Sequence, residues 1–271
     1  MAEMPTLIYG TAWKGDRTAA LVAQAVTLGF RGIDTACQPR HYSEAGVGEA
    51  LKALAARGVP RDALFLQTKF TSVDGQDPAN IPYDPGAPLA EQVAQSFATT
   101  LRNLGTDRVD SWVLHSPLRG FADTMTVWRA MEEVHDAGGA RLLGLSNCYD
   151  PGLFAKIHGA ARVKPAVLQN RFYAQTGYDA ELRAWCLERG VRYQSFWTLS
   201  ANPELLSSRT VGALARGLGK TPPQILFRYL VQKGVTPLTG TTSEQRMEDG
   251  LAVASFELSA QDVAAVDGLL R

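Results

Sequence analysis

Four side chains in this sequence could do acid–base chemistry together if a fold brought them to one place: Asp34, Tyr42, Lys69 and His115. Asp34 ends a short apolar run, Lys69 lies near the end of LFLQTKF (64–70), and His115 ends VDSWVLH (109–115). Tyr42 follows Asp34 in the next loop. A free phenol has a pKa near ~10 and is a reluctant acid at neutral pH. A lysine ammonium beside it favours the phenolate and should lower that value. An aspartate paired with the lysine keeps it charged and oriented. A histidine can hydrogen-bond a carbonyl or relay a proton. The set suits delivery of a proton to a carbonyl oxygen as hydride arrives at its carbon. Each residue also has a plainer reading. Asp34 could cap a turn, Lys69 and Tyr42 could sit on the surface, and His115 could be a hydrogen-bonded buried histidine. Packing alone gives no reason for such groups at the same end of successive strand-like runs.

The elements that would position them alternate along the whole chain. Strand-like runs are expected at 6–13, up to Asp34, and at 64–70, 109–115, 141–146, 166–169, 192–196 and 235–239. Amphipathic helices separate them. Leu21, Val22, Ala25 and Val26 share one helical face; so do Val47, Leu51 and Leu54, then Val93, Phe97, Leu101 and Leu104. Eight such units in 271 residues predict an α/β fold of the (β/α)8 TIM-barrel type, which needs roughly 250 residues, over an open sheet. No composition break divides the chain, so a single domain over 1–271 is expected. In a barrel the C-terminal strand ends face one mouth. That places Ser146, Asn147 and Gln169 beside the four residues above. The Pro-, Gly- and Asp-rich loop 71–88 follows the third strand on the same side and is expected to be a substrate loop, with Ile81 and Tyr83 as its apolar contacts.

Composition removes other classes. Twenty-seven basic residues balance 27 acidic ones, which leaves no electrostatic footprint for nucleic acid or membrane. No window approaches the ~18 apolar residues of a membrane helix, and the first residues lack the features of a signal peptide. Cys37, Cys148 and Cys186 are far apart in sequence, which suggests reduced thiols and a cytoplasmic setting. No G-x-G-x-x-G follows a strand. GLGKT (217–221) ends with two prolines next in line, so a helix boundary is expected there. Cys37 and His41 find no third ligand at useful spacing, so no metal is expected.

An ordered set of segments resembles the aldo-keto reductase family: IDTA (33–36), EAGVGEAL (44–51), QTKF (67–70), LHSP (114–117), GLSN (144–147), PAVLQN (165–170) and GTTSEQRMEDGL (240–251). The resemblance covers nearly the whole chain. It implies a TIM barrel that reduces aldehydes or ketones, and by extension imines, with NADPH and also NADH as cofactor. By motif, Asp34, Tyr42, Lys69 and His115 match the family's tetrad, with Tyr42 as proton donor. Ser146, Asn147 and Gln169 match residues that hold the nicotinamide carboxamide. SFWTLS (195–200) matches the stretch that stacks on the nicotinamide, through Phe196 or its neighbour Trp197, with Leu199 beside them. Gly240, Thr241, Thr242, Arg246 and Asp249 fall on the segment that takes the adenine and its 2′-phosphate.

The chain also departs from the family. Tyr42 follows Asp34 by eight residues where five is commoner, and it lies one residue closer to Val47 and Gly48 than usual, which puts His41 in the commoner register. Gly240 stands where many relatives carry a phosphate-binding lysine, and Gly250 where they carry asparagine. Of the two cations expected at the 2′-phosphate, only Arg246 remains, so the preference for NADPH should be moderate. The N-terminal hairpin and the long C-terminal loop are expected to be missing. The pocket should then be open, walled by Trp13, Phe70, Tyr83 and Trp197, and suited equally to aryl aldehydes, α-keto compounds or cyclic imines. The expected partner is a small carbonyl compound, and family precedent favours a monomer. The competing reading is a cofactor-binding barrel that works as a non-catalytic sensor or partner subunit.

Overall fold

Residues 2–270 are described in a computed structural model, and strand and helix alternate through it. The first half runs β1 (Ile8–Gly10), α1 (Thr18–Leu28), β2 (Gly32–Asp34), α2 (Glu44–Ala55), β3 (Phe65–Phe70), α3 (Leu89–Leu104), β4 (Val109–Leu114) and α4 (Phe121–Asp136). The second half runs β5 (Ala140–Ser146), α5 (Pro151–Ala160), β6 (Val167–Arg171), α6 (Ala180–Glu188), β7 (Arg192–Phe196), α7 (Pro203–Ser207), α8 (Arg209–Leu218), α9 (Pro222–Gln232), β8 (Thr236–Thr239), α10 (Glu244–Leu251) and α11 (Ala260–Asp267). The eight strands pair in parallel and in sequence order, and β8 closes on β1. This is the (β/α)8 barrel expected from the alternation.

Side-chain alternation splits the core into two shells. Tyr9, Ile33, Leu66, Trp112, Leu143 and Leu168 point outward and meet the buried helix faces, Val93 and Phe97 of α3 among them. Trp112 and Trp128 are fully buried there. Burial of a large apolar side chain contributes roughly 1.5–3 kcal/mol, so this shell carries most of the stability. The inward shell is thinner. Its base is Ile8, Phe65 and Leu238, covered by Met4 and Ala2 of the extended N-terminal segment. Residues 2–5 therefore close the bottom without a hairpin. Gly32 is required at that contact, since a Cβ there would lie 2.5 Å from Pro5 Cγ.

Local signals explain the element ends nearest the mouth. Ser43 caps α2, its hydroxyl accepting from Gly46 N at 3.1 Å. Glu44, the first residue of α2, is buried and accepts from Thr68 Oγ1 (2.6 Å) and Thr100 Oγ1 (3.0 Å). It thereby ties α2 to β3 and α3. Gly48 lets α2 and α3 touch, because a Cβ there would meet Asn103 O at 2.1 Å. The run 217–221 is a helix boundary: left-handed Gly219 (φ 62°) ends α8, and Thr221 with Pro222 begins α9.

The loop 71–88 is held down. Tyr83 donates to Thr71 O (2.8 Å), Gln38 Nε2 donates to Gly75 O (2.6 Å), and Gln76 Nε2 donates to Cys37 O (2.9 Å). Tyr83 and Ile81 turn into the outer shell, where Ile81 is partly buried.

Candidate active site

The inward face of the barrel turns polar above its apolar base. Asp34 of β2 and Lys69 of β3 form a buried pair, with Lys69 Nζ 2.7 Å from Asp34 Oδ1 and 2.6 Å from Oδ2. A third contact runs from Lys69 Nζ to Thr35 O at 2.9 Å, so all three ammonium donors are spent. Asp34 Oδ1 also accepts from Gln67 Nε2 (2.8 Å) and Gln169 Nε2 (3.1 Å). Gln194 Oε1 takes second bonds from both of these amides at 2.7 and 2.8 Å. Two glutamines thus bond the carboxylate, and a third braces both of them. Removing either partner of a buried, hydrogen-bonded ion pair is costly because the other is left uncompensated.

Tyr42 lies above this pair, its ring centroid 5.2 Å from Lys69 Nζ. The His115 ring meets it edge-on at 6.1 Å and 69°. Thr71 Oγ1 and His115 Nδ1 are 2.7 Å apart, which fixes the imidazole from the β3 side. The four residues therefore converge. His41 goes elsewhere: its ring stacks 3.8 Å from that of Trp13, and its Nδ1 is 2.8 Å from Gln38 Oε1. The longer loop after Asp34 brings Tyr42 against Lys69 and sends His41 to the rim.

The electrostatics correct one expectation. Burial of the phenol, reinforced by the Asp34 carboxylate, pushes the Tyr42 pKa up, not down. Lys69 is neutralised by Asp34 and has no donor left for the phenol, so the lysine alone was a poor guide. Burial also lowers the Lys69 pKa, and the Asp34 charge opposes that. His115 is pushed down to about 3 by burial and by the positive charges of Lys69 and His41. At neutral pH the site holds a protonated phenol and a neutral imidazole.

Two expected pocket walls do not reach the mouth. Phe70 is fully buried in the outer shell, because Lys69 takes the inward position and alternation turns Phe70 out. Tyr83 is buried beside it, ring centroids 5.8 Å apart. Trp13 does stand at the rim, 64% exposed with φ 63°. Trp197 stands at 49% exposure with φ 55°. Left-handed backbone is uncommon for so bulky a residue.

The expected cofactor residues occupy the β5–β8 side. Ser146 Oγ donates to Gln169 O (2.6 Å), and Asn147 Nδ2 donates to His115 O (2.8 Å). Asn147 has φ 51°, a conformation asparagine tolerates well. Gln169 spends its amide nitrogen on Asp34 and Gln194, which leaves Oε1 free to accept from a carboxamide. Phe196 ends β7 facing inward and packs against the basal cluster. Leu199 packs against the outer shell. Thr241 accepts from Tyr9 OH through its carbonyl (3.0 Å), and Thr242 is exposed. Ser243 caps α10 and Arg246 is exposed in its first turn. Asp249 is held by Gln245 Nε2 at 3.3 Å. The space beside Gly240 is tight, since a Cβ there would lie 3.3 Å from both Lys14 Nζ and Gly10 O. A free amide acceptor and a capped helix with an exposed arginine fit a dinucleotide that lies from β6 to α10.

The chemistry-bearing residues missed in the sequence are Gln67, Gln194, Arg171 and Lys14. The first three sit on inward strand positions two residues from another inward residue, so a period of two could have found them.

A parallel barrel with this mouth defines a class of oxidoreductase, and comparison with known proteins agrees. The aldo/keto reductase family model matches residues 6–271. 2,5-Diketo-D-gluconic acid reductase B of a Corynebacterium species is 32% identical over 95% of this chain and 86% of its own length. An uncharacterized oxidoreductase of Bacillus subtilis is 28% identical over 98% and 89%. Among solved structures, an aldo-keto reductase from a deep-sea metagenome library superposes with a TM-score of 0.84 at 25% identity, covering 99% of this chain and 92% of that one. The chain belongs to the aldo/keto reductase family.

Proposed function

We propose that this protein is an NADPH-dependent carbonyl reductase in which Tyr42 is the proton donor. The carrying observation is the protonated Tyr42 phenol set between the Asp34–Lys69 pair and neutral His115. A nicotinamide bound here supplies hydride to the carbonyl carbon. Tyr42 gives its proton to the carbonyl oxygen as negative charge develops there, a general-acid step. The Lys69 ammonium, 5.2 Å from the ring centroid, offsets only part of the charge of the phenolate that results, because Asp34 already pairs with it. Asp34 and the three glutamines hold Lys69 in place. His115, fixed by Thr71, orients the carbonyl through its other ring nitrogen. Ser146, Asn147 and Gln169 position the carboxamide, Phe196 supports the ring, and Arg246 faces the 2′-phosphate.

The open rim beside Trp13 suits small aldehydes, α-keto compounds and cyclic imines, and a relative named for reduction of a diketo sugar acid supports the middle class. Three free, buried cysteines suit a reducing cytoplasm. Among the described residues no helix is long and apolar enough to cross a membrane. Incubation with NADPH and an activated aromatic aldehyde, followed by nicotinamide absorbance, tests the reading. Oxidation that depends on the aldehyde is expected; tight nucleotide binding without turnover would favour the sensor reading instead.

A further inference from the structure

Asp179 is a buried acid that takes no part in the Asp34–Lys69 network. It stands at the N-terminus of α6, yet its side chain does not cap that helix. Instead its Oδ2 accepts from Asn170 Nδ2 (2.7 Å) and from the Tyr193 hydroxyl (2.8 Å). The backbone that delivers it is unusual. Gly177, Tyr178 and Asp179 are left-handed in succession, with φ of 58°, 54° and 51°. Such a run is costly for residues other than glycine and persists only where the surroundings over-determine it. The anchors are Arg183, whose Nε donates to Tyr178 O (2.8 Å), and the two donors on Asp179. Burial raises the Asp179 pKa, and the hydrogen bonds it accepts and the charge of Arg183 oppose that shift.

Asn170 carries the contact toward the mouth. It is fully buried on β6, next to Gln169 and turned to the opposite face. Its Nδ2 also donates to Cys148 O (2.7 Å), and its Oδ1 accepts from Cys148 N (3.0 Å). One amide thus clasps both backbone groups of Cys148. An accepting oxygen on Asp179 dictates which end of that amide carries the hydrogens. A flipped Asn170 would set its own N–H groups against the N–H of Cys148. Cys148 directly follows Asn147, the left-handed residue of the candidate cofactor site. Asn147 N donates to Gln169 O (3.1 Å), and its Oδ1 accepts from Tyr149 OH (3.2 Å), which leaves one lone pair of Oδ1 for a ligand.

We propose that Asp179 is a positioning residue for the nicotinamide: through Asn170 it locks the turn at Asn147, and so sets the carboxamide contact and the tilt of the ring. The inference rests on the reading of Asn147 as a carboxamide residue. Asp179 works from the outer face of β6, behind the reacting atoms. Its loss therefore misplaces the hydride donor more than it weakens nucleotide binding, to which Arg246 and the rest of the site still contribute.

Asp179→Ala, Asp179→Asn and Asn170→Ala test this with two readouts. In the nucleotide-free protein, amide NMR should show the Asn147 side-chain signal shifted or broadened in Asp179→Ala and Asn170→Ala, with that of Asn103 on α3 unmoved. In turnover, both variants should lose kcat by roughly 10–100-fold, the scale of a misplaced reactant, while Kd for NADPH and NADH rises far less. Asp179→Asn, whose amide oxygen can still accept both bonds, should keep most of kcat. Circular dichroism checks folding, and Asn170→Ala breaks the same link from the strand side if Asp179→Ala does not fold. Wild-type kcat or an unmoved Asn147 signal in a folded Asp179→Ala would overturn the proposal. So would an Asp179→Asn as impaired as Asp179→Ala. A wild type that turns over no carbonyl, with the Asn147 signal moved as expected in the variants, would instead remove the reductase reading and leave the coupling of Asp179 to Asn147 standing.

Discussion

The two arcs of the barrel mouth are built on opposite principles. On the β2–β4 arc every charge is answered within the protein: Lys69 is 1% exposed and its donors are all used. On the β6–β8 arc the cations Arg171 and Arg246 pair with no carboxylate among the described residues, and Trp197 is half exposed in a left-handed conformation. The first arc is a finished device, rigid before any ligand arrives. The second is an unfinished surface whose polar groups await a molecule. Electrostatic preorganisation belongs where bonds change, since fixed dipoles need no rearrangement during reaction. Unpaired charge belongs where a charged ligand can supply the missing half.

The largest effect should come from the centre of the finished arc. Tyr42→Phe removes the proton and little else, because the ring contacts with Lys69 and His115 remain. We expect kcat to fall by roughly 10²–10⁴, the usual range for loss of a general acid, with nucleotide Kd unchanged. His41→Ala, which loses the Trp13 stack and the Gln38 contact at the rim, should be far milder. Abolished turnover in His41→Ala with a tolerated Tyr42→Phe would show the register to be wrong.

The same arc should be the one that fails in stability. Lys69→Met leaves Asp34 buried among amides without its cation. Breaking a buried pair in this way costs about 3–5 kcal/mol. Asp34→Leu together with Lys69→Met should recover a large part of that loss in chemical denaturation, so the double-mutant cycle should be strongly non-additive. Additive losses would mean that the pair does not act as a unit. Removal of Arg171 or Arg246 should leave the denaturation midpoint almost unmoved, which sharpens the contrast between arcs.

The difference also explains what the sequence could reveal. The tetrad was legible because polar residues interrupt apolar strands at one end, and the ordered motifs fix their partners. The order of strands and helices followed from alternation, although the first strand, expected over 6–13, spans only Ile8–Gly10. Phe70 was misread as a pocket wall, since its neighbour Lys69 claims the inward position and parity then sends Phe70 outward. Tyr83 was misread because a tyrosine in a polar loop gives no sign that its hydroxyl will find Thr71 O. Arg171 went unnoticed because it sits in a strand end where only its stacking partner in the loop after β7, Trp197, gives it meaning. The direction of the Tyr42 pKa was wrong for a related reason: one-dimensional reading paired Tyr with Lys and could not see the lysine already neutralised.

A smaller effect belongs to the unfinished arc. On the proposed cofactor reading, Arg246→Ala should raise KM for NADPH and leave that for NADH nearly unchanged, because its guanidinium would meet only the extra phosphate. One charge-assisted contact is worth about 1.5–3 kcal/mol, or roughly 10–150-fold. Steady-state kinetics with both nucleotides decide it. Equal losses would place Arg246 outside the 2′-phosphate site, and a wild-type preference for NADH would overturn the assignment.

The smallest expected effect is an absence of pH response on the finished arc. His115 titrates near pH 3 in the folded protein, and the Tyr42 phenol titrates above its ordinary value. Neither group changes charge between about pH 5 and 8, because an ordinary histidine near ~6.5 and phenol near ~10 are displaced in opposite directions. At saturating substrate, kcat should therefore be flat across that window. Stability should not be flat at its lower end. The His115 pKa is lower folded than unfolded, so below about 6.5 the unfolded chain binds a proton that the native state refuses. The contribution of this residue is intact above that pH and is lost progressively as pH falls toward 3. His115→Gln should remove that part of the acid dependence of the thermal midpoint. A kcat limb near pH 6–7 that disappears in His115→Gln would show instead that the imidazole gains a proton during turnover, and the neutral-histidine reading would fall.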